Sequence, residues 1–170
     1  MTNKIKNRNS KRLEIERKFL VTNNGWRKEA KGVIYHQGYL STDSSRTVRV
    51  RLEGKLGKLT IKGKKIGIAG DEFEYDIPAN DAKYLLDNLC KKPTIKKTRY
   101  KIPFEGLIWE VDVFEDENKG LVIAEVELKS ADQKFIIPSW IGKEVTQDRR
   151  FRNANLVANP FSKWKDKLIR

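Results

Sequence analysis

Charged residues recur at every second position in seven short stretches of this 170-residue chain, with apolar residues between them. Because side chains alternate between the two faces of a strand, each stretch has one charged face and one apolar face. Acidic residues dominate four stretches and basic residues dominate three. Carboxylates bind divalent metals and arginines bind phosphate, so both kinds of row together suit a metal-bound polyanion. The seven stretches are residues 14–18, 48–52, 59–62, 72–76, 97–101, 110–113 and 125–129.

The alternation predicts eight strands, at residues 12–22, 32–42, 46–53, 58–63, 71–77, 95–104, 107–115 and 121–129. A lysine-rich loop with three glycines, at residues 63–70, precedes the fifth strand. Residues 81–90 place Ala82, Leu85, Leu86 and Leu89 on one helical face, which predicts a helix. Residues 130–133 resemble a second helix start, and residues 152–158 and 161–169 are predicted to be further helices.

Short hairpin connections between eight strands favour an antiparallel closed barrel, because closure removes exposed edges. The expected fold class is therefore α+β, mainly β, with a few flanking helices. The charged faces have two interpretations. They are either an ordinary solvated surface, or they line a barrel wide enough to hold one small ligand. Two features favour the second: few predicted helices are available to cover the apolar faces, and the two signs segregate by strand.

The net charge is +13, but part of it lies near the ends, since residues 1–12 carry five basic residues and no acidic one. We therefore expect a basic, disordered segment at residues 1–11, a single domain at 12–170, and no specific nucleic-acid partner. One cysteine and one histidine exclude a Cys/His zinc site and argue against a Ser-His-Asp triad. With no long apolar run and no signal segment, we expect no membrane partner and a cytoplasmic location.

The first charged stretch and its extension, residues 14–21, read Glu-Ile-Glu-Arg-Lys-Phe-Leu-Val. This run resembles the Glu-x-Glu-x-Lys signature of the CYTH superfamily, the triphosphate tunnel metalloenzymes. The remaining charged pairs follow in the order typical of that family, and residues 144–151 resemble its closing segment. The resemblance runs from about residue 12 to 158. It is strongest to the bacterial inorganic triphosphatases, many of which are labelled as adenylate cyclases.

The resemblance implies an eight-stranded tunnel, a Mg²⁺ or Mn²⁺ cofactor and a triphosphate substrate. It also implies roles for three groups of residues. The expected metal ligands are Glu14, Glu16, Asp112, Glu125 and Glu127. The expected catalytic residues are Lys97, Glu74 and Tyr39, and whether Lys97 holds substrate or orients the attacking water is open. The expected substrate-binding residues are Lys18, Arg49, Arg51, Lys62, Arg99, Arg149 and Arg150, although these proteins often carry lysine in place of Arg149.

The expected reaction is metal-dependent hydrolysis of inorganic triphosphate to pyrophosphate and phosphate. Two alternatives stay open: an adenylate cyclase of the same fold, which converts ATP to cyclic AMP, and a polyphosphate-binding module without catalysis. A complete set of acidic ligands argues against the module, because anion binding alone needs none. ATP as a further substrate and a homodimer are also left open.

Overall fold

The computed structural model describes residues 13–167, so the basic segment predicted at 1–11 lies outside the described residues. The strands are β1 Leu13–Val21, β2 Gly32–Asp43, β3 Arg46–Glu53, β4 Leu56–Gly63, β5 Ala69–Ile77, β6 Ile95–Phe104, β7 Leu107–Phe114, β8 Val122–Glu127 and β9 Ile141–Glu144. The α-helices are α1 Ala79–Asn88 and α2 Asn153–Ala158. Short 3₁₀ helices span Gly25–Glu29, Asp116–Asn118, Arg149–Phe151, Phe161–Lys163 and Lys165–Lys167.

Eight of these strands form a closed antiparallel ring in the order β5-β4-β3-β2-β6-β7-β8-β1. The ring closes where residues 13–15 of β1 pair with residues 69–71 of β5. Further along, the same edge of β1 pairs with β9. The architecture confirms the predicted fold class, a mainly antiparallel β structure with few helices. None of the helices between residues 13 and 167 is long and apolar enough to cross a membrane.

The apolar faces of the strands point outward and are covered by two different elements. Helix α1 packs over β3 and β4, where Ala82 and Leu86 contact Val50 in a buried cluster. Trp26 and Trp140, which come from connections, pack with Trp109 of β7 over the β1 and β8 side. The charged faces therefore point into the ring. Of the two interpretations of these faces, a solvated surface or the lining of a barrel, the second is correct.

A third apolar cluster packs against one end of the ring. On the inward rows of β2, β6, β7 and β8 the charged residues give way to apolar ones at this end, and the C-terminal segment contacts them. The cluster joins Tyr39, Ile95, Phe114 and Ile123 to Phe151, Leu156 and Trp164.

The helix predicted to start at residues 130–133 is wrong. The Gln133 amide donates to the Ser130 carbonyl at 3.3 Å, and the Gln133 side chain accepts from the Lys129 amide at 2.7 Å. These bonds close a turn, and the segment continues without helix to Trp140, whose ring lies 5.8 Å from that of Trp109. The prediction also missed β9, a four-residue strand too short to show an alternating pattern, and the segment predicted as a helix at 161–169 begins with two short 3₁₀ turns.

Candidate functional site

The inward rows place an unusual number of polar side chains at buried positions. All of them come from strands, and cross-strand pairing sets their positions around the ring. Burying so many charges without partners would be prohibitive, so each needs a compensating neighbour. The buried set contains Lys18, Gln37, Arg49, Arg51, Thr60, Lys97, Arg99, Asp112 and Glu125.

The acidic residues of β1 are held by Lys62 of β4 and by Lys18 of β1 itself. The Lys62 Nζ lies 2.6 Å from Glu14 Oε2 and 2.9 Å from Glu72 Oε2. The Lys18 Nζ lies 3.2 Å from Glu16 Oε1 and also binds Glu125. Burial and the Glu16 charge raise the pKa of Glu14. Burial would also raise the pKa of Glu16, but the charges of Lys18 and Lys62 outweigh it and hold that pKa well below its usual value.

A second group, on β6, β7 and β8, is built around one arginine. Arg99 donates to both oxygens of Asp112 at 2.6 Å and to Glu125 Oε2 at 2.9 Å. Lys97 also binds Asp112, and its side chain is only 1% exposed. Burial lowers the pKa of Lys97 to about 8, although the Asp112 charge opposes this. Burial opposes ionisation of Glu125 as well, yet Lys18 and Arg99 hold its pKa well below the usual value.

The arginines of β3 form a third group with residues of β4 and β5. Arg51 donates to Glu74 Oε2 at 3.1 Å, and Arg49 donates to the Thr60 hydroxyl at 3.1 Å. Thr60 in turn donates to Glu74 Oε2 at 3.1 Å. The guanidinium of Arg51 lies 5.2 Å from the centre of the Tyr35 ring, which fixes its orientation.

Several buried polar atoms on these rows have no hydrogen-bond partner among the described residues. They include the Nε atoms of Arg49 and Arg51 and both amide atoms of Gln37, a side chain that is fully buried. Gln37 lies on β2 between Tyr35 and Tyr39 and pairs across the sheet with Arg51. An unpaired buried polar group costs about 1–3 kcal/mol, and such groups commonly await water or a ligand. The unpaired donors of the two arginines and of Gln37 could donate hydrogen bonds to the oxygens of an anion.

The carboxylates offer only oxygen donors, which are the ligands that Mg²⁺ and Mn²⁺ prefer. In residues 13–167, no three Asp, Glu, His or Cys side chains stand together in a group that could hold a metal ion. Each inward carboxylate instead binds a lysine or arginine. Burial raises the pKa of Glu14, and repulsion from the nearby carboxylates of Glu16 and Glu72 adds to this shift. A divalent cation would relieve that repulsion, so the donor set fits such an ion once the ion pairs open.

Most of the residues predicted for the site lie on the inward rows. These are Glu14, Glu16, Lys18, Tyr39, Arg49, Arg51, Lys62, Glu74, Lys97, Arg99, Asp112 and Glu125. Glu127 follows on the same row of β8 but is exposed at its end. Arg149 and Arg150 lie outside this group. Both are exposed in the 3₁₀ helix Arg149–Phe151, where Arg150 binds Asp148 and its guanidinium lies 5.1 Å from the Trp164 ring centre.

Sequence reasoning assigned no role to four residues of the site. Glu72 and Lys58 continue the alternating charged rows, so their spacing was a usable signal. Gln37 carries no charge, and only its burial without a partner distinguishes it. Lys65 lies in the β4–β5 connection, where no periodic pattern marks it.

Comparisons with known proteins agree with this geometry. A family model described as the CYTH domain matches residues 12–156. A curated inorganic triphosphatase from Acetivibrio thermocellus is 50% identical over 153 residues, which are 90% of this chain and 98% of that protein. A second, from Nitrosomonas europaea, is 38% identical and covers 85% of this chain and 96% of its own length.

Solved structures give the same result. The crystal structure of an inorganic triphosphatase superposes with a TM-score of 0.63 at 36% identity, covering 85% of this chain and 93% of that one. A Hippeastrum protein described as a putative adenylyl cyclase with a dominant triphosphatase activity has a TM-score of 0.52 at 15% identity. It covers 69% of this chain and 80% of its own, and it shares the fold alone. The eight-stranded ring, its charged interior and these matches confirm the resemblance found in the sequence: the chain belongs to the CYTH domain family.

Proposed function

We propose that this protein hydrolyses inorganic triphosphate to pyrophosphate and phosphate, with Mg²⁺ or Mn²⁺ as cofactor. One observation carries the proposal: the interior of the ring presents basic and acidic side chains together, with arginine donors left unpaired. A polyphosphate bound with divalent cations carries both signs of charge in the same small volume. The names of the relatives at 50% and 38% identity support the same activity.

The phosphate oxygens would be held by basic residues from four strands, β1, β3, β4 and β6. Arg49 and Arg51 are suited to forked contacts through the Nε atoms that now lack partners. Lys18, Lys62 and Arg99 would exchange a carboxylate for a phosphate oxygen. Arg149 and Arg150 have no place in this proposal, because they lie outside the group.

The metal would be held by Glu14, Glu16, Asp112, Glu125 and Glu127, and when bound it would neutralise charge on the phosphate oxygens. Phosphoryl transfer needs mainly positioning and charge stabilisation, both of which these rows can supply. Glu74 is fixed by Thr60 and Arg51, so it can accept a hydrogen bond from the attacking water. Lys97 and the hydroxyl of Tyr39, both of them buried residues, would hold the reacting phosphate in place.

The test compares kcat/KM for inorganic triphosphate and for ATP, with Mg²⁺ and Mn²⁺ separately, while phosphate and cyclic AMP are both measured. We expect triphosphate to be preferred by at least about tenfold, equivalent to roughly 1.4 kcal/mol in the transition state. Recognition of adenosine would require buried groups that hydrogen-bond to the adenine base, and we assign no side chain of the inward rows to that role. Cyclic AMP formation from ATP, with little phosphate released from triphosphate, would overturn the proposal in favour of a cyclase.

A pair of variants on β3 tests the binding roles. Arg51→Lys keeps the charge but loses the planar fork, so kcat/KM should fall at least about tenfold. Arg46→Lys makes the same change at an exposed position on the same strand and should have no effect. Equal kinetics in the two variants would remove Arg51 from the substrate site. Tight triphosphate binding without turnover in the wild type would indicate a binding module.

The proposal also covers the compartment and the quaternary state. The single cysteine, Cys90, is a buried free thiol, which suits a reducing, cytoplasmic compartment. The quaternary state, including the homodimer, is to be measured by light scattering.

A further inference from the structure

The connection from β4 to β5 carries a lysine that contacts two of the carboxylates proposed to bind metal. The Lys65 Nζ lies 2.7 Å from Glu16 Oε1 and 3.5 Å from Glu14 Oε2. Its side chain is 23% exposed, whereas the neighbouring Lys64 is exposed. Lys62 and Lys18 also bind these acids, but both belong to strands paired on each side. Lys65 is thus the lysine of this group whose backbone lies outside the ring.

Two local features fix the position of Lys65. Ile66 and Ala69 exchange backbone hydrogen bonds of 2.8 and 3.2 Å, which closes a tight turn around Gly67 directly after Lys65. Gly67 has φ +63, a conformation that favours glycine. Gly70 leaves room for the lysine stem, because a Cβ at this position would lie 2.9 Å from Lys65 Cγ. The connection therefore directs Lys65 toward β1, and the contact with Glu16 is specified by the chain.

We propose that Lys65 is a tethered cation that occupies Glu14 and Glu16 before a divalent metal binds and leaves them when the metal arrives. The inference rests on the proposed function, since it takes these two acids as metal ligands. An ammonium group beside these carboxylate oxygens repels a divalent cation and neutralises part of the charge that would attract it. Lys65 thereby sets the metal affinity of the substrate-free protein, and its place in a short connection lets it withdraw without breaking a strand pairing.

The contact is partly exposed, and such ion pairs contribute little, so the competition should be modest. Replacing Lys65 by methionine keeps the apolar stem and removes the charge. The dissociation constant of Mn²⁺, measured by calorimetry on the full chain without substrate, should fall by about threefold to tenfold in Lys65→Met. Lys65→Arg keeps the charge and should bind Mn²⁺ like the wild type.

Lys64→Met is the matched control, because it removes the same charge from the adjacent, exposed position. It should change Mn²⁺ affinity by less than about twofold, the size expected of a screened surface charge. Equal affinities in Lys65→Met and Lys64→Met, with triphosphate hydrolysis intact in the wild type, would overturn the role of Lys65 and leave the proposed function standing. Absence of Mn²⁺ binding and of hydrolysis in the wild type would overturn both. Thermal unfolding of each variant checks that the fold is retained.

Discussion

Replacing Glu125 by glutamine should destabilise the protein as well as inactivate it. Acidic neighbours alone would suggest the opposite, because Glu16 repels Glu125. The contacts decide the sign: Glu125 binds Lys18 and accepts from Arg99 at 2.9 Å, and these charges hold its pKa well below 4.5 despite burial. The carboxylate is therefore more stable in the folded protein than in water, and its loss must lower the free energy of unfolding.

The magnitude follows from the partners left behind. Deleting one member of a buried ion pair typically costs 3–5 kcal/mol, and the glutamine carbonyl can keep one of the two hydrogen bonds, so we expect about 2–3 kcal/mol. For a chain of this length, each kcal/mol lowers the Tm by roughly 2–4 °C, which gives a fall of about 4–12 °C at pH 7. Differential scanning calorimetry measures it directly.

The control variant is Glu127→Gln, on the same row of β8 but exposed. It should change stability by less than about 0.5 kcal/mol, yet both variants should lose most turnover if both residues bind metal. The pH dependence gives a second check. Since the folded-state pKa of Glu125 is depressed, its stabilisation is present above about pH 4.5 and is lost as the pH falls, so wild type and Glu125→Gln should converge in acid. Equal Tm values for the two variants at pH 7 would refute the reasoning.

Three further outcomes follow from the interior rows. The pKa of Lys97 is about 8, so kcat/KM should fall above that pH as the ammonium loses its proton, and Lys97→Met should lack this step; a step retained in the variant belongs to another group. Gln37→Leu should lower kcat/KM by about tenfold while the Tm holds or rises, because an unpaired buried amide is removed; a lower Tm with unchanged kinetics would instead indicate a structural role. Metal with triphosphate at about 100 times Kd should stabilise the folded state by about 2.7 kcal/mol, and no shift in Tm would contradict the interior site.

The alternating pattern predicted the ring well because one physical constraint governs every strand. A strand that is apolar on one face and charged on the other can turn its charged face either toward solvent or into a ring. The bounds of strands such as Arg46–Glu53 and Ile95–Phe104 follow from the two-residue period alone. The order of the strands around the ring and their register do not follow from this period. The closure through residues 13–15 of β1 and 69–71 of β5 depends on the register of all eight strands, which no local pattern records.

The inward position of the charged side chains was predictable to the same extent and for the same reason. Charged members of the rows, such as Arg99 and Asp112, were found because charge at every second position is visible in the sequence. Gln37 is uncharged and Lys65 is outside the strands, so neither leaves a periodic signal. The exposed position of Arg150 was hidden for another reason: it accompanies the burial of the neighbouring Phe151, and this packing is tertiary.

The interior charges also explain how such a ring can fold before it binds anything. Glu125 connects two groups, since Lys18 ties it to the β1 acids and Arg99 ties it to Asp112. Most of these charges are thus paired with a residue of another strand, and the pairs help to hold the ring closed from within, while atoms of Arg49, Arg51 and Gln37 stay unpaired. When a triphosphate binds with its metal, the lysines and arginines would exchange their carboxylate partners for phosphate oxygens. The carboxylates would exchange their lysine and arginine partners for the metal. An interior that is balanced in both states needs both signs within the same ring, which is why neither a purely basic nor a purely acidic ring would serve.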